Sequence, residues 1–146
     1  MMDNIIIKLN NQSSDKLSTF EKKEWAISDM EHYGRSDIDL SKKKYKFIAE
    51  NESWEIVWIL ELMIEVNVAF IDGLLVGSKH RRKGIGKNLI KTAEEYSKKN
   101  NCTKIWLETN EGWEAEKFYK NVWYKITGSH EKHILNQKSL IFTKFF

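Results

Sequence analysis

Along this chain apolar positions recur at two periods in turn, every second residue in some segments and every third or fourth in others, the spacings of strands and amphipathic helices. Residues 5–8 read as a short first strand. Ser13-Ser14-Asp15 then offers helix caps ahead of Leu17, Phe20, Ile27 and Met30, which return at helical spacing over one or two helices. A second strand is expected at 45–49, followed by the polar turn Asn51-Glu52-Ser53. In the third, Ile56, Trp58, Leu60, Leu62 and Ile64 alternate with Val57, Ile59, Glu61 and Met63, so both faces read as largely buried. A turn near Glu65-Val66-Asn67 leads to a fourth strand over 68–76, close enough to the third for an antiparallel hairpin. Leu89, Ile90, Ala93 and Tyr96 mark a helix that stops at Asn100-Asn101, and residues 103–109 return as a fifth strand parallel to the fourth. A short helix carrying Ala115, Phe118 and Tyr119 follows Gly112, and two more strand candidates lie at 124–128 and 139–145.

The pattern describes a mixed α/β fold of six or seven strands flanked by helices. At 146 residues it suits a single domain, 1–146, and is short for two. Hydrophobic residues make up 41% and charged residues 31%, which excludes a disordered chain, and no apolar run approaches the ~20 residues of a membrane helix. No membrane partner is expected. The start, Met1-Met2-Asp3-Asn4, lacks the basic segment and apolar core of a secretory signal, and the one cysteine, Cys102, has no internal disulfide partner. A cytoplasmic location is expected. The net charge of +3, from 24 basic and 21 acidic residues, is too even for a nucleic-acid binder. Positive charge is concentrated between residues 79 and 91, which points to a small polyanionic ligand.

That concentration lies in Gly73-Leu74-Leu75-Val76-Gly77-Ser78-Lys79-His80-Arg81-Arg82-Lys83-Gly84-Ile85-Gly86, which ends an apolar strand, turns and opens a helix. Glycine at 84 and 86 removes side chains that would hold an anion off the main chain, and the first amides of the helix have no intrahelical acceptor. Arg81, Arg82, Lys83 and Lys87 add charge at the same spot. Two phosphate motifs fail on spacing. A P-loop would need glycine where Arg81 stands and a hydroxyl where Asn88 follows Lys87; a dinucleotide fingerprint would need glycine at Leu89.

Arg81-x-x-Gly84-x-Gly86, after Leu74-Leu75-Val76 and before a helix, resembles motif A of the GNAT superfamily of N-acetyltransferases. A second segment, Ala115-Glu116-Lys117-Phe118-Tyr119-Lys120-Asn121-Val122-Trp123-Tyr124, resembles that superfamily's A-x-x-F-Y-x-x-x-G-F stretch in order and distance. The resemblance implies a single-domain GNAT fold in which strands four and five splay apart, with acetyl-CoA as co-substrate and no metal. It implies that pantetheine meets main-chain groups of Leu74 and Val76, and that pyrophosphate sits on the amides from Arg82 to Lys87, including Lys83, Gly84, Ile85 and Gly86. The acceptor is a small-molecule or peptide amine, and the protein a monomer or homodimer. A CoA-binding sensor or subunit that has lost catalysis is the alternative from a different class.

Acetyl transfer to an amine needs a neutral nucleophile and help for the departing thiolate. Tyr119 matches the tyrosine that the resemblance implies as general acid; otherwise it is a core residue beside Phe118. A phenol of pKa ~10 passing its proton to a thiolate of ~8.5 runs uphill by roughly 2 kcal/mol, which favours hydrogen-bond donation to sulfur over full transfer. For the base, Asp72 stands inside an apolar strand, where an unpaired carboxylate is costly, with Glu61 and Glu108 as alternatives. His130 and His133 have ligand-like spacing, but no carboxylate or cysteine completes a metal site with them. Trp25 and Trp113 read as core or lid packing, and Cys102 as a thiol in a polar setting without an adjacent histidine to activate it. Tryptophan stands at 123 and 58, where the resemblance leads one to expect glycine. One reading is that these positions are UGA codons whose meaning in some bacteria is glycine.

Overall fold

The structure, a computed structural model, describes residues 6–146. The chain divides into two units, Met1–Asp39 and Leu40–Phe146. In the first, helix α1 spans Asp15–Tyr33 as one helix. Ser14 stands at its N-cap, its hydroxyl accepting from the Leu17 amide at 3.2 Å, and Asp15 sets negative charge on the first turn. Gly34 ends the helix at φ 70°, its amide donating to the Met30 carbonyl at 3.0 Å. Of the strand expected at 5–8, Ile5 lies outside the described residues, and residues 6–8 belong to no strand. The run Ile6-Ile7 has strand propensity, but a strand exists only where a neighbour takes up its hydrogen bonds.

The second unit contains a six-stranded sheet and two longer helices. In chain order these are β1 (Lys43–Glu50), β2 (Ile56–Glu65), β3 (Val68–Val76), α2 (Ile85–Lys99), β4 (Lys104–Asn110), α3 (Glu114–Asn121), β5 (Lys125–His130) and β6 (Ser139–Phe145). The strands lie in the order β1-β2-β3-β4-β6-β5. β3 and β4, the fourth and fifth strands of the sequence pattern, pair in parallel across α2, and every other neighbouring pair is antiparallel. This is the mixed, helix-flanked α/β fold that the pattern predicts, with six strands among the described residues.

One face of the sheet holds the core. Leu60, Leu62 and Ile64 of β2, Ala69 and Ile71 of β3, Ile105 and Leu107 of β4 and Phe142 of β6 cluster with Leu89, Ile90 and Ala93 of α2. β2 is buried on that face and half-buried on the other, less enclosed than its unbroken apolar run suggests. α2 extends the core through Tyr96, whose ring meets Tyr45 edge-on at 4.9 Å and Phe47 at 5.5 Å. Lys144 of β6 locks the far side: its ammonium donates to Glu94 of α2 at 2.8 Å and to the Val122 carbonyl, just past α3, at 2.9 Å.

The helices end alike. α2 passes through Asn100 to Asn101 at φ 58°, with the Asn101 amide donating to Lys98 and the Cys102 amide to Ser97. α3 passes through Val122 to Trp123 at φ 70°, with the Trp123 amide donating to Lys120 and the Tyr124 amide to Tyr119. Both are the paired-bond termination that needs a left-handed residue just beyond the helix. Asn tolerates that conformation; a residue with a bulky side chain is held there at a cost of roughly 1–2 kcal/mol.

Because Lys144 and Glu94 are both mostly enclosed, at 24% and 12% side-chain exposure, removing one strands the other. Lys144→Ala is expected to lower the unfolding free energy by about 2–3 kcal/mol in urea titration, and the double variant Glu94→Gln/Lys144→Met to recover most of it.

Candidate functional site

The site lies within the second unit, where β3 and β4 part. Their ladder is three residues long, Val68 opposite Lys104, Ala69 opposite Ile105 and Phe70 opposite Trp106. Beyond Phe70, β3 stays paired with β2 and β4 with β6, so the facing edges of residues 71–76 and 107–110 are left without ladder partners. The cause is visible in the β2–β3 register. Leu62 faces Ile71 and Glu61 faces Gly73, so Asp72 is an extra residue bulged out of the ladder. A bulge bends and twists its strand, which turns the end of β3 away from β4. Asp72 is exposed on this bulge, and among the described residues no ion pair holds its carboxylate. Leu74 and Val76, half-buried, sit opposite Leu60 and Trp58 on the diverging part.

The turn after β3 keeps its amides open. Gly77 donates to the Val57 carbonyl at 2.8 Å and His80 to Gly77 at 2.8 Å, closing a short 3-10 turn over Ser78–His80. Arg81 is extended, Arg82 stands at φ 64° and Gly84 at φ 76°, and α2 begins at Ile85 with no side-chain cap and no acidic residue in its first turn. From Arg82 to Lys87 the one amide with a backbone acceptor is that of Lys87, to Gly84 at 3.2 Å. Uncapped amides at a helix start, without acid and beside exposed Arg81, Arg82, Lys83 and Lys87, are a donor set for phosphate oxygens. Arg82 also pairs with Glu114 in the first turn of α3 at 2.7 Å, both side chains largely in solvent, a contact that solvent screens. Gly86 is packed against Trp58: a Cβ there would stand 2.5 Å from the indole ring and 3.3 Å from Phe118.

Tyr119 is enclosed between Phe118, Tyr124 and Phe142, with ring centroids at 5.1, 5.7 and 5.9 Å. Burial pushes its phenol well above the usual tyrosine range, so it holds its proton at neutral pH and is a weaker acid than a free phenol. Tyr124 is pushed up as well, by burial and by the nearby Glu94 charge. Its hydroxyl and the Trp58 indole N–H are the buried side-chain polar atoms without a partner among the described residues.

A cluster that chain order conceals lies across the opening. Glu108 of β4 reaches His130 at the end of β5, 3.2 Å from Nε2, and His133 beyond it, 3.5 Å from Nε2, while the two imidazoles stack at 5.2 Å. The carboxylate that both imidazoles reach thus comes from another strand, although the described residues contain no group of side chains arranged to hold a metal. Had the ladder continued, Asp72 would have faced Glu108; the two carboxylates flank the parted strands. Glu61 is instead paired with Lys46 at 2.9 Å. Cys102 is buried and not in a polar setting, and burial raises its thiol, which makes it a poor nucleophile. Trp113 is exposed at the start of α3 and packs in no core.

A sheet that opens beside an uncapped, cation-rich helix start brings unpaired strand edges and phosphate-type donors to one place. A family model, Acetyltransferase (GNAT) family, matches residues 16–122, and the chain belongs to that family. Among solved structures it is similar to an acetyltransferase from Bacillus cereus, 21% identical, with a TM-score of 0.72 over 95% of this chain and 98% of the other. A Bacillus anthracis protein assigned as a streptothricin acetyltransferase, in complex with acetyl coenzyme A, is 26% identical, TM-score 0.64, over 70% of this chain and 62% of its own. A spermidine N-acetyltransferase chimera with a Vibrio cholerae portion is 20% identical, TM-score 0.62, over 90% and 75%. Among curated proteins none matches. Among the described residues no helix is long and apolar enough to cross a membrane.

Two expectations follow from this geometry. Gly86→Ala drives a methyl into the Trp58 ring and should lower stability by about 1–3 kcal/mol, read by thermal melting. Because Tyr119 and Tyr124 titrate above the unfolded value of ~10, the stability they confer by staying neutral is complete below pH 10 and is lost as pH climbs above it. The variant Tyr119→Phe/Tyr124→Phe should show a shallower fall in unfolding free energy between pH 10 and 11.

Proposed function

We propose that this acetyltransferase moves the acetyl group of acetyl-CoA to a primary amine by direct attack on the thioester, without an acyl-enzyme. The single observation that carries the reading is the run of unpaired edge between β3 and β4 ending at the open amides of Arg82 to Gly86. It offers main-chain groups for an extended amide-bearing arm, and phosphate donors at one end. The family match, which begins in the first unit and runs into the second, supports treating the chain as one functional domain.

When bound, acetyl-CoA supplies the activated carbonyl and the thiolate leaving group. Leu74 and Val76 hold the pantetheine arm by main-chain hydrogen bonds, as a sheet edge receives a strand. The amides of Arg82, Lys83, Gly84, Ile85, Gly86 and Lys87, with the Arg81 charge, bind the pyrophosphate. The incoming ammonium must first lose a proton; near pH 7.4 an amine of pKa ~10.4 is neutral about once in a thousand molecules, a deficit of roughly 4 kcal/mol. Asp72 is the carboxylate that takes it, with Glu108, which has two imidazoles in contact to pass a proton on to solvent, as the alternative. The amine nitrogen then bonds to the carbonyl carbon as the carbon–sulfur bond breaks. Tyr119 donates a hydrogen bond to the departing sulfur; its raised pKa makes full proton transfer steeper still, so it acts by stabilising charge. The acceptor is a small-molecule or peptide amine, and the setting cytoplasmic.

Calorimetric titration with acetyl-CoA, paired with thiol release against a panel of polyamines, aminoglycosides, lysine and peptide N-termini, tests the reading. Binding with turnover on at least one amine is expected. Absence of binding contradicts the cofactor assignment, and binding without turnover on any amine would instead favour a CoA-responsive module. Tyr119→Phe should lower kcat about 10- to 100-fold with the cofactor affinity unchanged. Asp72→Asn and Glu108→Gln should each move the acid limb of the kcat/KM profile if the residue is the proton acceptor, and leave it in place if it is not.

A further inference from the structure

Three of the six tryptophans stand where the backbone or the packing asks for glycine. Trp123 is the clearest. It occupies the left-handed position just after α3, φ 70°, in the termination where Trp123 donates to Lys120 and Tyr124 to Tyr119. Glycine is the residue this position favours. The equivalent places at the ends of α1 and α2 hold Gly34 and Asn101, the two residue types that enter this conformation readily. The indole gains nothing in return, since Trp123 is 81% exposed.

Trp54 repeats the case in the hairpin between β1 and β2. Asn51 makes a tight turn there, accepting from the Trp54 amide at 3.0 Å on its carbonyl and from the Ser53 and Glu55 amides at 2.9 Å on its side chain. The residue that closes the turn, Trp54, has φ 62°, and it too is 81% exposed. A turn followed by a left-handed residue before the returning strand is a glycine position of hairpins.

Trp58 is misplaced in the opposite sense. It is buried, 6% exposed, yet its indole N–H has no hydrogen-bond partner, and its ring fills the space above Gly86 and across from Ala49 and Val76. A buried donor left unpaired is costly, and this one sits on a ring packed against Gly86 in the first turn of α2. Left-handed φ values alone would not make the argument, because Val66, Arg82, Lys132 and Leu135 share them. What does is the convergence on one residue type of two left-handed exposed positions and one orphaned buried donor.

We infer that the chain as made in its own cells carries glycine at 54, 58 and 123, the tryptophans being UGA codons that those cells read as glycine. UGA differs from the tryptophan codon UGG in its third base, so a translation that takes UGA for tryptophan errs only at tryptophan. The composition moves in the right direction: the chain has seven glycines, and three more bring it to the about 7% that is ordinary for proteins. Glycine at 58 would also clear a slot between β2, the end of β3 and Gly86, next to the open amides.

Two measurements test the inference without reference to catalysis. The gene should show UGA at all three positions, and peptide mass spectrometry of the protein purified from its source cells should find glycine there. UGG, or a tryptophan-containing peptide, at any of the three overturns it. Independently, Trp54→Gly/Trp123→Gly introduced into the tryptophan-containing protein should raise Tm by at least about 4 °C, because both residues leave a left-handed strain without losing a buried contact. An unchanged or lower Tm would contradict the inference.

Discussion

The one constraint on which the rest depends is the single extra residue in β3. Asp72 has no opposite number on β2, and from that point the strand swings away from its parallel neighbour. In an uninterrupted parallel sheet the edges of β3 and β4 would be consumed by their own ladder. Breaking it after three residues leaves main-chain donors and acceptors facing a gap inside the sheet, an edge of the kind that receives an extended ligand. The hydrophobic core tolerates the break because it lies on one face: Ala69 and Ile71 precede the bulge and Leu107 lies on β4, all buried in one cluster with Leu89, Ile90 and Ala93 of α2.

The gap leads to the start of α2, and the chemistry of the two is complementary. The turn from Gly77 to Gly84 closes on its own backbone at only a few points, so the amides ahead of the helix stay available. The ends of the helices matter as much as their starts. The turn that stops α3 ties the Tyr124 amide to the Tyr119 carbonyl and packs the two rings together, so the residue that ends the helix also sets the orientation of Tyr119. Strain at position 123 is therefore strain within one turn of Tyr119, and the indole at 58 bears on Gly86 in the first turn of α2.

Local patterns in the sequence were enough to read the strand hairpin, the crossover helix and the glycine-rich turn, since each is specified by neighbours a few residues apart. The six strands of the sheet lie within a few residues of their expected limits. What escaped was whatever depends on register or on distant pairing. The bulge that explains why a carboxylate sits in an apolar strand is a mismatch between two strands, invisible in either alone. Glu108 meets His130 and His133 only because β4, β6 and β5 lie side by side, so their contact cannot be read from chain order. Cys102 looked polar from its neighbours in the chain, yet it turns inward where α2 stops. Residues 6–8 had the propensity of a strand and no partner to make one.

We propose that the parted strands and the amides after them form one continuous binding surface for coenzyme A. Backbone amide NMR of the full chain titrated with desulfo-CoA measures it directly, free of any question about turnover. The largest shifts, and new protection from exchange, are expected on Leu74, Val76 and the run from Arg82 to Lys87, with residues 107–110 next. Shifts confined to other strands, or a titration that leaves the amides of Arg82 to Lys87 unmoved, would contradict it.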